Sequence, residues 1–330
     1  MLFNNDKAVS PIVATLVLIV VAIAGAAAVG TIMGSFSSDV SDSASADQAA
    51  SSASTELLIA GSTTVQPVSE KLAEAYMDQH PGVKVTVQGG GSDAGIAGAN
   101  MDVVDIGSAS KNFEATDYPD LNNFQIGGSG VVVICNGNVR NVNLSDLNEM
   151  YANAVDGKIK LNVDSNGNIT EIGNGTTGTA YTLYQRAEGS GTEECFAKGL
   201  GNSTYDFHAD KDVDHSSALG EVGNQGVADA VDDTENSIGF CDYGFSTSLD
   251  HANTVNVSDS DGILYIPTKD NIKAALKGDY TKYEKEFARP LNYITNGEPS
   301  SLEKSYIDFA MSPGAVTYFD EVGYFSIMEL

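Results

Sequence analysis

The sequence predicts an α/β protein in three parts: an apolar N-terminal helix, a tether and a globular body. Three observations carry this. Residues 12 to 33 contain no charged side chain. Residues 37 to 55 are mostly Ser, Ala and Asp. From residue 56 onward, short apolar runs alternate with segments of helical spacing, the pattern of strands packed beneath helices.

The uncharged run IVATLVLIVVAIAGAAAVGTIM is long enough, at about 1.5 Å per residue, to cross a hydrocarbon core about 30 Å thick. A secretory signal has a shorter run with a cleavage site after it. Here DKAVSPIVATLVLIVVAIAGA resembles the leader of archaeal type IV pilin-like proteins, whose peptidase cuts before the hydrophobic helix. That resemblance implies a leader over 1–8, a cut near Ala8/Val9 and a retained transmembrane or pilin-like helix over 9–36. Pro11 suits the first turn of such a helix, where a missing N–H costs nothing. Lys7 before the span, with Asp39, Asp42 and Asp47 after it, directs the body outside the cell. Residues 37–55 lack the bulky apolar groups a core requires and read as a flexible linker.

In the body, TELLIAG reads as a strand, and VSEKLAEAYMDQH as a helix with Val68, Leu72, Ala75 and Tyr76 on one face. GVKVTVQGGG, VDIGSAS and GSGVVVICNG read as further strands, and LSDLNEMYANA as a helix. The segment 156–172 predicts a β-hairpin turning at Asn166-Gly167. Residues 298–320 predict helices broken at Pro313-Gly314. The alternation of strands and helices implies a largely parallel sheet.

With 45 acidic against 17 basic residues and a net charge of −28, the chain is no nucleic-acid binder, because phosphate backbones need Lys and Arg. Cys135, Cys195 and Cys241 lie in apolar surroundings without metal-type spacing. They read as buried thiols, or as one thiol beside a Cys195–Cys241 bridge.

Four strand-to-helix junctions carry the candidate chemistry. AGSTTVQPVSE brings Ser62, Thr63 and Thr64; QGGGSDAGIAGA brings Ser92; VDIGSAS brings Asp105; RAEGSGT brings Arg186, Ser190, Gly191 and Thr192. Helix N-termini offer unpaired N–H donors and the positive end of a dipole, hydroxyls add neutral donors, and Arg186 adds a fixed positive fork. Local oriented dipoles can therefore seat an anion on an acidic protein, whose distant charges are screened beyond about 8–10 Å. Taken singly, each Ser or Thr is an ordinary helix cap. GGGSDAGIAGA lacks the Lys-Ser/Thr ending of a nucleotide-binding loop.

Taken in order, GSTTVQPVSEKLAEAY, GGGSDAGIAGA, VDIGSASK, RAEGSGTEECF, GNQGVADAV, IGFCDYGF, RPLNYITNG and FAMSPGAVTYF resemble the extracytoplasmic phosphate-binding protein of the high-affinity phosphate ABC transporter. The resemblance covers nearly all of residues 56–330. It implies a two-lobed venus-flytrap fold with a hinge, lobe I from 56–133 plus 243–330 and lobe II from 134–242. It implies inorganic phosphate as ligand, an ABC permease as partner, no cofactor and no enzymatic activity. It also implies the cage: Thr63, Thr64 and Ser92 from one lobe, Asp105 as acceptor, and Arg186, Ser190, Gly191 and Thr192 from the other. The chain departs from the family at Asp93, where a small residue is common, at Thr64, where some relatives have Phe, in the 156–172 hairpin and in its anchor.

An aspartate beside an anion has a physical use. Phosphate at neutral pH still carries a proton that a carboxylate can accept, whereas sulfate carries none and would face an unsatisfied like charge. Asp105 is expected to set that preference. Two further clusters read as loops: DFHADKDVDHSS, with His208, Asp210, Asp212, Asp214 and His215, as an acidic surface loop with metal-ligand chemistry, and Asp164, Asn166 and Asn168 as the hairpin turn. Ser190 lacks a neighbouring base and EGSGT is not a nucleophile elbow. Two other roles remain at this level: a pilin-like filament subunit assembled through its helix, and a binder of another tetrahedral oxyanion such as sulfate or tungstate.

Overall fold

The computed structural model describes residues 55–113, 115–173, 177–201 and 217–330. The expected leader, the anchor helix over 9–36, nearly all of the linker and the 208–215 loop lie outside the described residues. Among the described residues, no helix is long and apolar enough to cross a membrane.

The body opens with β1 (Glu56–Gly61), whose buried Leu57 and Ile59 alternate with more exposed neighbours. Next, α1 (Gln66–Gln79) starts with a proline in its first turn and buries Val68, Leu72 and Tyr76, the i, i+4, i+8 stripe expected of it. Then come β2 (Lys84–Gly89), α2 (Ser92–Asn100), β3 (Ile106–Ala109) and the 16-residue β4 (Leu121–Asn136). β5 (Asn141–Asn143) leads into α3 (Leu144–Asn153), whose N-cap Asn143 accepts from the Ser145 amide. The predicted hairpin is β6 (Lys158–Val163) with β7 (Ile169–Gly173). Its turn is closed by Asp164, whose Oδ1 accepts from the Asn166 and Asn168 amides at 2.8 and 2.9 Å.

The second half continues through β8 (Thr179–Arg186), α4 (Gly191–Gly199), β9 (Leu219–Glu221), α5 (Gly223–Asp233), β10 (Ser237–Asp242) and α6 (Tyr243–Ser246). It closes with β11 (Asn253–Ser258), β12 (Leu264–Tyr265), α7 (Lys269–Leu276), β13 (Ala288–Asn296), α8 (Ser301–Ala310), α9 (Val316–Glu321) and β14 (Phe325–Ser326). A 3₁₀ turn at Pro313–Ala315 separates α8 from α9, the break expected at Pro313-Gly314.

The strands follow the order β2-β1-β3-β13-β4-β10-β8-β6-β7. The expectation of a largely parallel sheet is corrected here. β1 runs parallel to β2 and β3, and β8 to β10, but β13 and β4 run antiparallel to their neighbours in the middle of the order. Two strands of opposite direction are thus inserted between two parallel groups, a long-range pairing that local periodicity does not encode.

β4 is the strand shared by two lobes. Up to Gly130 it pairs with β13, and from Val131 onward with β10. Its run VVVIC is buried throughout, because each face meets a different core. Val131, Val133 and Cys135 join Leu147, Tyr151, Phe196 and Phe240, while Val132 and Ile134 join Val227 and Val231 of α5. The other lobe packs Leu57, Ile59, Leu72, Tyr293, Tyr306 and Phe319 beneath α1, α8 and α9. Continuous apolar runs are what a strand covered on both faces requires. Cys135, Cys195 and Cys241 are all free and buried, so the alternative Cys195–Cys241 bridge is not formed. Burial pushes the Cys135 thiol up to about 11 and raises the other two.

Glycine sets how closely α2 lies on the strands. A Cβ on Gly61, whose φ is +138°, would sit 2.6 Å from the Gly95 Cα and 2.3 Å from the Ser108 carbonyl oxygen. No larger residue permits that approach, which brings the first turn of α2 to the ends of β1 and β3.

Candidate anion site between the lobes

In a parallel sheet, the loops after the carboxyl ends of the strands gather at one edge. β1 delivers Ser62, Thr63 and Thr64 there and β3 delivers Ser110, while β10 runs antiparallel to β4 and ends opposite Val131, so the carboxyl ends of β8 and β10 bring Arg186 and Asp242 to face that edge from the other lobe. Because β13 is antiparallel, its beginning lies at that same edge, and Arg289 pairs in register with Ser129 of β4. Residues from these six strands or their flanking loops therefore meet in one place.

Two guanidiniums form the centre, each only 1% exposed. Arg186 donates from Nη1 to Thr192 Oγ1 at 3.2 Å and from Nη2 to Thr63 Oγ1 at 2.9 Å. Arg289 donates from Nη1 to Thr192 Oγ1 at 2.9 Å and from Nη2 to Thr64 Oγ1 at 2.9 Å. Both arginines thus reach one threonine hydroxyl. Asn224 joins the lobes by donating from Nδ2 to Thr64 Oγ1 at 2.8 Å.

Each arginine has a carboxylate. Asp242 lies 2.6 Å from Arg289 through Oδ2, while its Oδ1 accepts from Ser129 Oγ at 2.6 Å and from the Gly244 amide at 3.2 Å. Glu188 pairs with Arg186 through Oε1, which also accepts from the Gly223 amide at 3.1 Å. Burial lowers the pKa of Arg186, and Glu188 opposes this only in part. Burial acts likewise on Arg289, but the Asp242 carboxylate more than offsets it and the guanidinium ends above its ordinary value.

The sequence-derived residues separate into three groups. Thr63, Thr64, Arg186 and Thr192 form the hydrogen-bonded centre. Ser92 and Gly191 border it: Ser92 Oγ accepts from the Ser110 amide at 3.1 Å, and a Cβ on Gly191 would lie 2.7 Å from Ser110 Oγ, so glycine lets α4 approach α2. Ser190 is the N-cap of α4, accepting from the Thr192 and Glu193 amides at 3.1 and 3.4 Å.

Asp105 is the correction. It precedes β3, is exposed, and accepts from the Leu58 amide at 2.6 Å through Oδ2. At about 3.3 Å per residue, roughly 16 Å of strand separate it from Ser110. VDIGSAS does place Asp105 at a strand end, but at the amino end, on the opposite edge of the sheet. Asp93 also differs from expectation, since its charge is met by Lys111 Nζ at 2.6 Å, and the same ammonium lies 2.6 Å from Glu194 of α4.

Sequence reasoning missed Arg289, Asn224, Asp242, Glu188 and Ser110. A signal existed for two of them. Arg289 opens an otherwise apolar strand, RPLNYI, and Asp242 ends the apolar run IGFC; charges inside such runs are buried and paired when the strand is central. The geometry offers neutral and positive donors with no nucleophile–base pair: among the described residues, the Ser190 hydroxyl bonds only to helix amides.

A profile described as the PBP superfamily domain matches residues 46–313. Phosphate-binding protein PstS of Bacillus subtilis is 25% identical over 277 residues, covering 82% of this chain and 79% of that protein. Phosphate-binding protein PstS 2 of Streptococcus agalactiae is 42% identical over 76 residues, 23% of this chain and 26% of its own. A Clostridium perfringens protein described as a phosphate ABC transporter substrate-binding protein, solved with bound phosphate, superposes with a TM-score of 0.65 at 22% identity, covering 82% of this chain and 99% of that one. An ABC-type phosphate transport receptor from Vibrio cholerae gives 0.59 at 24% identity, with the same coverages. The structural likenesses establish the two-lobed fold. The relatives are binding proteins by name.

Proposed function

The chain belongs to the PBP superfamily, and from that premise we propose that it captures inorganic phosphate between its lobes and delivers it to an ABC permease. The observation that carries this is the convergence of Arg186 and Arg289 on Thr192 Oγ1, ringed by Thr63, Thr64, Ser92 and the first turn of α4. Guanidiniums, hydroxyls and helix amides are the donors that a tetrahedral oxyanion accepts from. The phosphate-binding relatives support phosphate as that oxyanion. The roles of Thr63, Thr64, Ser92, Arg186, Gly191 and Thr192 as phosphate ligands, with Arg289 added and Ser190 acting through its cap, are part of the proposal.

The body is displayed outside the cell on the helix of residues 9–36, a reading supported by the uncharged run from 12 to 33. Fractionation tests the anchor: the chain should need detergent for release and run as a monomer, whereas sheared high-mass fibres would identify a filament subunit. Calorimetric titration of the detergent-solubilised chain tests the ligand. Phosphate should bind with one site per chain, and an absence of heat or competition by phosphate would remove the reading.

A further inference from the structure

The lobes stand apart in one place and touch in another. Glu188 lines a cavity of about 540 Å³ with Thr63, Gln66, Gly223 and Asn224, and its Oε2 is buried with no hydrogen-bond partner among the described residues. Beside it, a Cβ on Gly91 would lie 2.5 Å from the Gly189 carbonyl oxygen, so backbones of the two lobes are in contact. Lys111 spans that contact. Its Nζ lies 2.6 Å from Asp93 Oδ1 and 2.6 Å from Glu194 Oε2. Asp93 lies in the first turn of α2, whose Ile96 and Ala99 pack with Ala109 and Ile294. Glu194 lies in the first turn of α4, whose Cys195 and Phe196 pack in the other core with Tyr151 and Phe240. Burial works against the ammonium, but the two carboxylates outweigh it and hold its pKa above the ordinary value.

We propose that Lys111 is a positioning residue for ligand retention, a latch whose bond to Glu194 sets how slowly a captured anion leaves. This rests on the proposed capture of an oxyanion between the lobes. The latch fastens both walls of the seat. Lys111 follows Ser110, whose Oγ accepts from Arg289 Nη1 at 3.2 Å, and Glu194 is two residues beyond Thr192, on which both arginines converge. It is also built to reopen. When the lobes part, Lys111 keeps Asp93 of its own lobe, and Glu194 keeps Lys198, which lies 2.8 Å from its Oε1 on the same helix. Neither side is left with an uncompensated charge, the cost that makes breaking an ordinary buried pair so large. A bond that exists only while the lobes meet slows release and leaves encounter nearly unchanged.

Pairing with Asp93 alone is a simpler role for Lys111, and release kinetics separate the two. Phosphate association and release are followed by stopped-flow tyrosine fluorescence in the full chain, in K111M, in E194A and in the double variant. Each single variant should release phosphate about tenfold faster than the wild type, with association within about threefold. The double variant should release no more than about twofold faster than either single one, because both changes remove the same bond. Rates that multiply overturn the latch. So does an E194A that releases at the wild-type rate, an outcome that stands even if K111M fails to fold. Spin labels on Asp78→Cys of α1 and Ala152→Cys of α3, both exposed and distinct from the buried native cysteines, report the lobes without any ligand. In E194A their distances should lengthen relative to the wild type, and an unchanged distribution overturns the proposal. A wild type that binds no phosphate removes the capture reading instead, and the label distances then decide the latch by themselves.

Discussion

The two ion pairs of the cleft are built from the same chemistry and differ in burial. Arg289–Asp242 is 1% and 0% exposed, lies where β13, β4 and β10 meet, and has every carboxylate oxygen bonded. Arg186–Glu188 is 1% and 23% exposed, faces the cavity, and leaves one oxygen without a donor among the described residues. A buried pair whose carboxylate is fully bonded holds structure; one with a spare carboxylate oxygen can answer a guest. The difference gives the first pair the join between the lobes beside the proposed ligand role of Arg289, and places the second on the side of the cleft that faces the cavity.

Breaking the inner pair should have the largest effect. Asp242→Ala leaves Arg289 as an uncompensated buried charge, a loss of about 3–5 kcal/mol. The melting temperature should fall on the order of 10 °C, followed by circular dichroism; a shift of only a degree or two would show the pair to be hydrated. Arg186→Ala should invert the pattern. Phosphate affinity should fall by about 2–5 kcal/mol, measured by calorimetry, while the unliganded melt moves far less because Glu188 reaches water. Equal losses in both assays would erase the distinction between the pairs.

A third carboxylate, remote from the cleft, gives the control. Burial pushes Asp232 up, but the amides of Ala252, Asp250 and His251 outweigh it, so its folded pKa lies below the ordinary value. A depressed folded pKa contributes stability that is complete above the unfolded value and is lost as pH falls through the folded one. Asp232→Asn should therefore melt lower than the wild type at neutral pH. The gap should close as pH falls below the ordinary aspartate range, and a gap independent of pH would contradict the amide cap. The smallest effect is expected at Asp105→Asn, which makes the acceptor of one exposed hydrogen bond neutral, a change worth about 1 kcal/mol or less. Its phosphate-to-sulfate preference should equal the wild type's by calorimetry, and a changed ratio would return the acceptor role to Asp105.

Much of this architecture was legible in the chain. The spacing of Val68, Leu72 and Tyr76 gave α1, the run VVVIC gave a strand, and Pro313-Gly314 gave the break between the last helices. Four loop motifs located most of one wall of the site. Asp105 shows the limit: VDIGSAS marks a strand with an acid at one end, and nothing local states which end faces the cleft. Arg289 shows the same limit in reverse, since RPLNYI places an arginine at the start of a strand, and only a reversed strand brings that start to the site.

The sequence by itself determined the elements, because periodicity, caps and turns act over a few residues. Tertiary structure decided which strands run antiparallel in the middle of the sheet, and hence which acid meets which arginine. Those pairings join residues 47 positions apart for Asp242 and Arg289 and 123 apart for Thr63 and Arg186. Strand direction is fixed by the burial of whole faces, a property that no single segment carries.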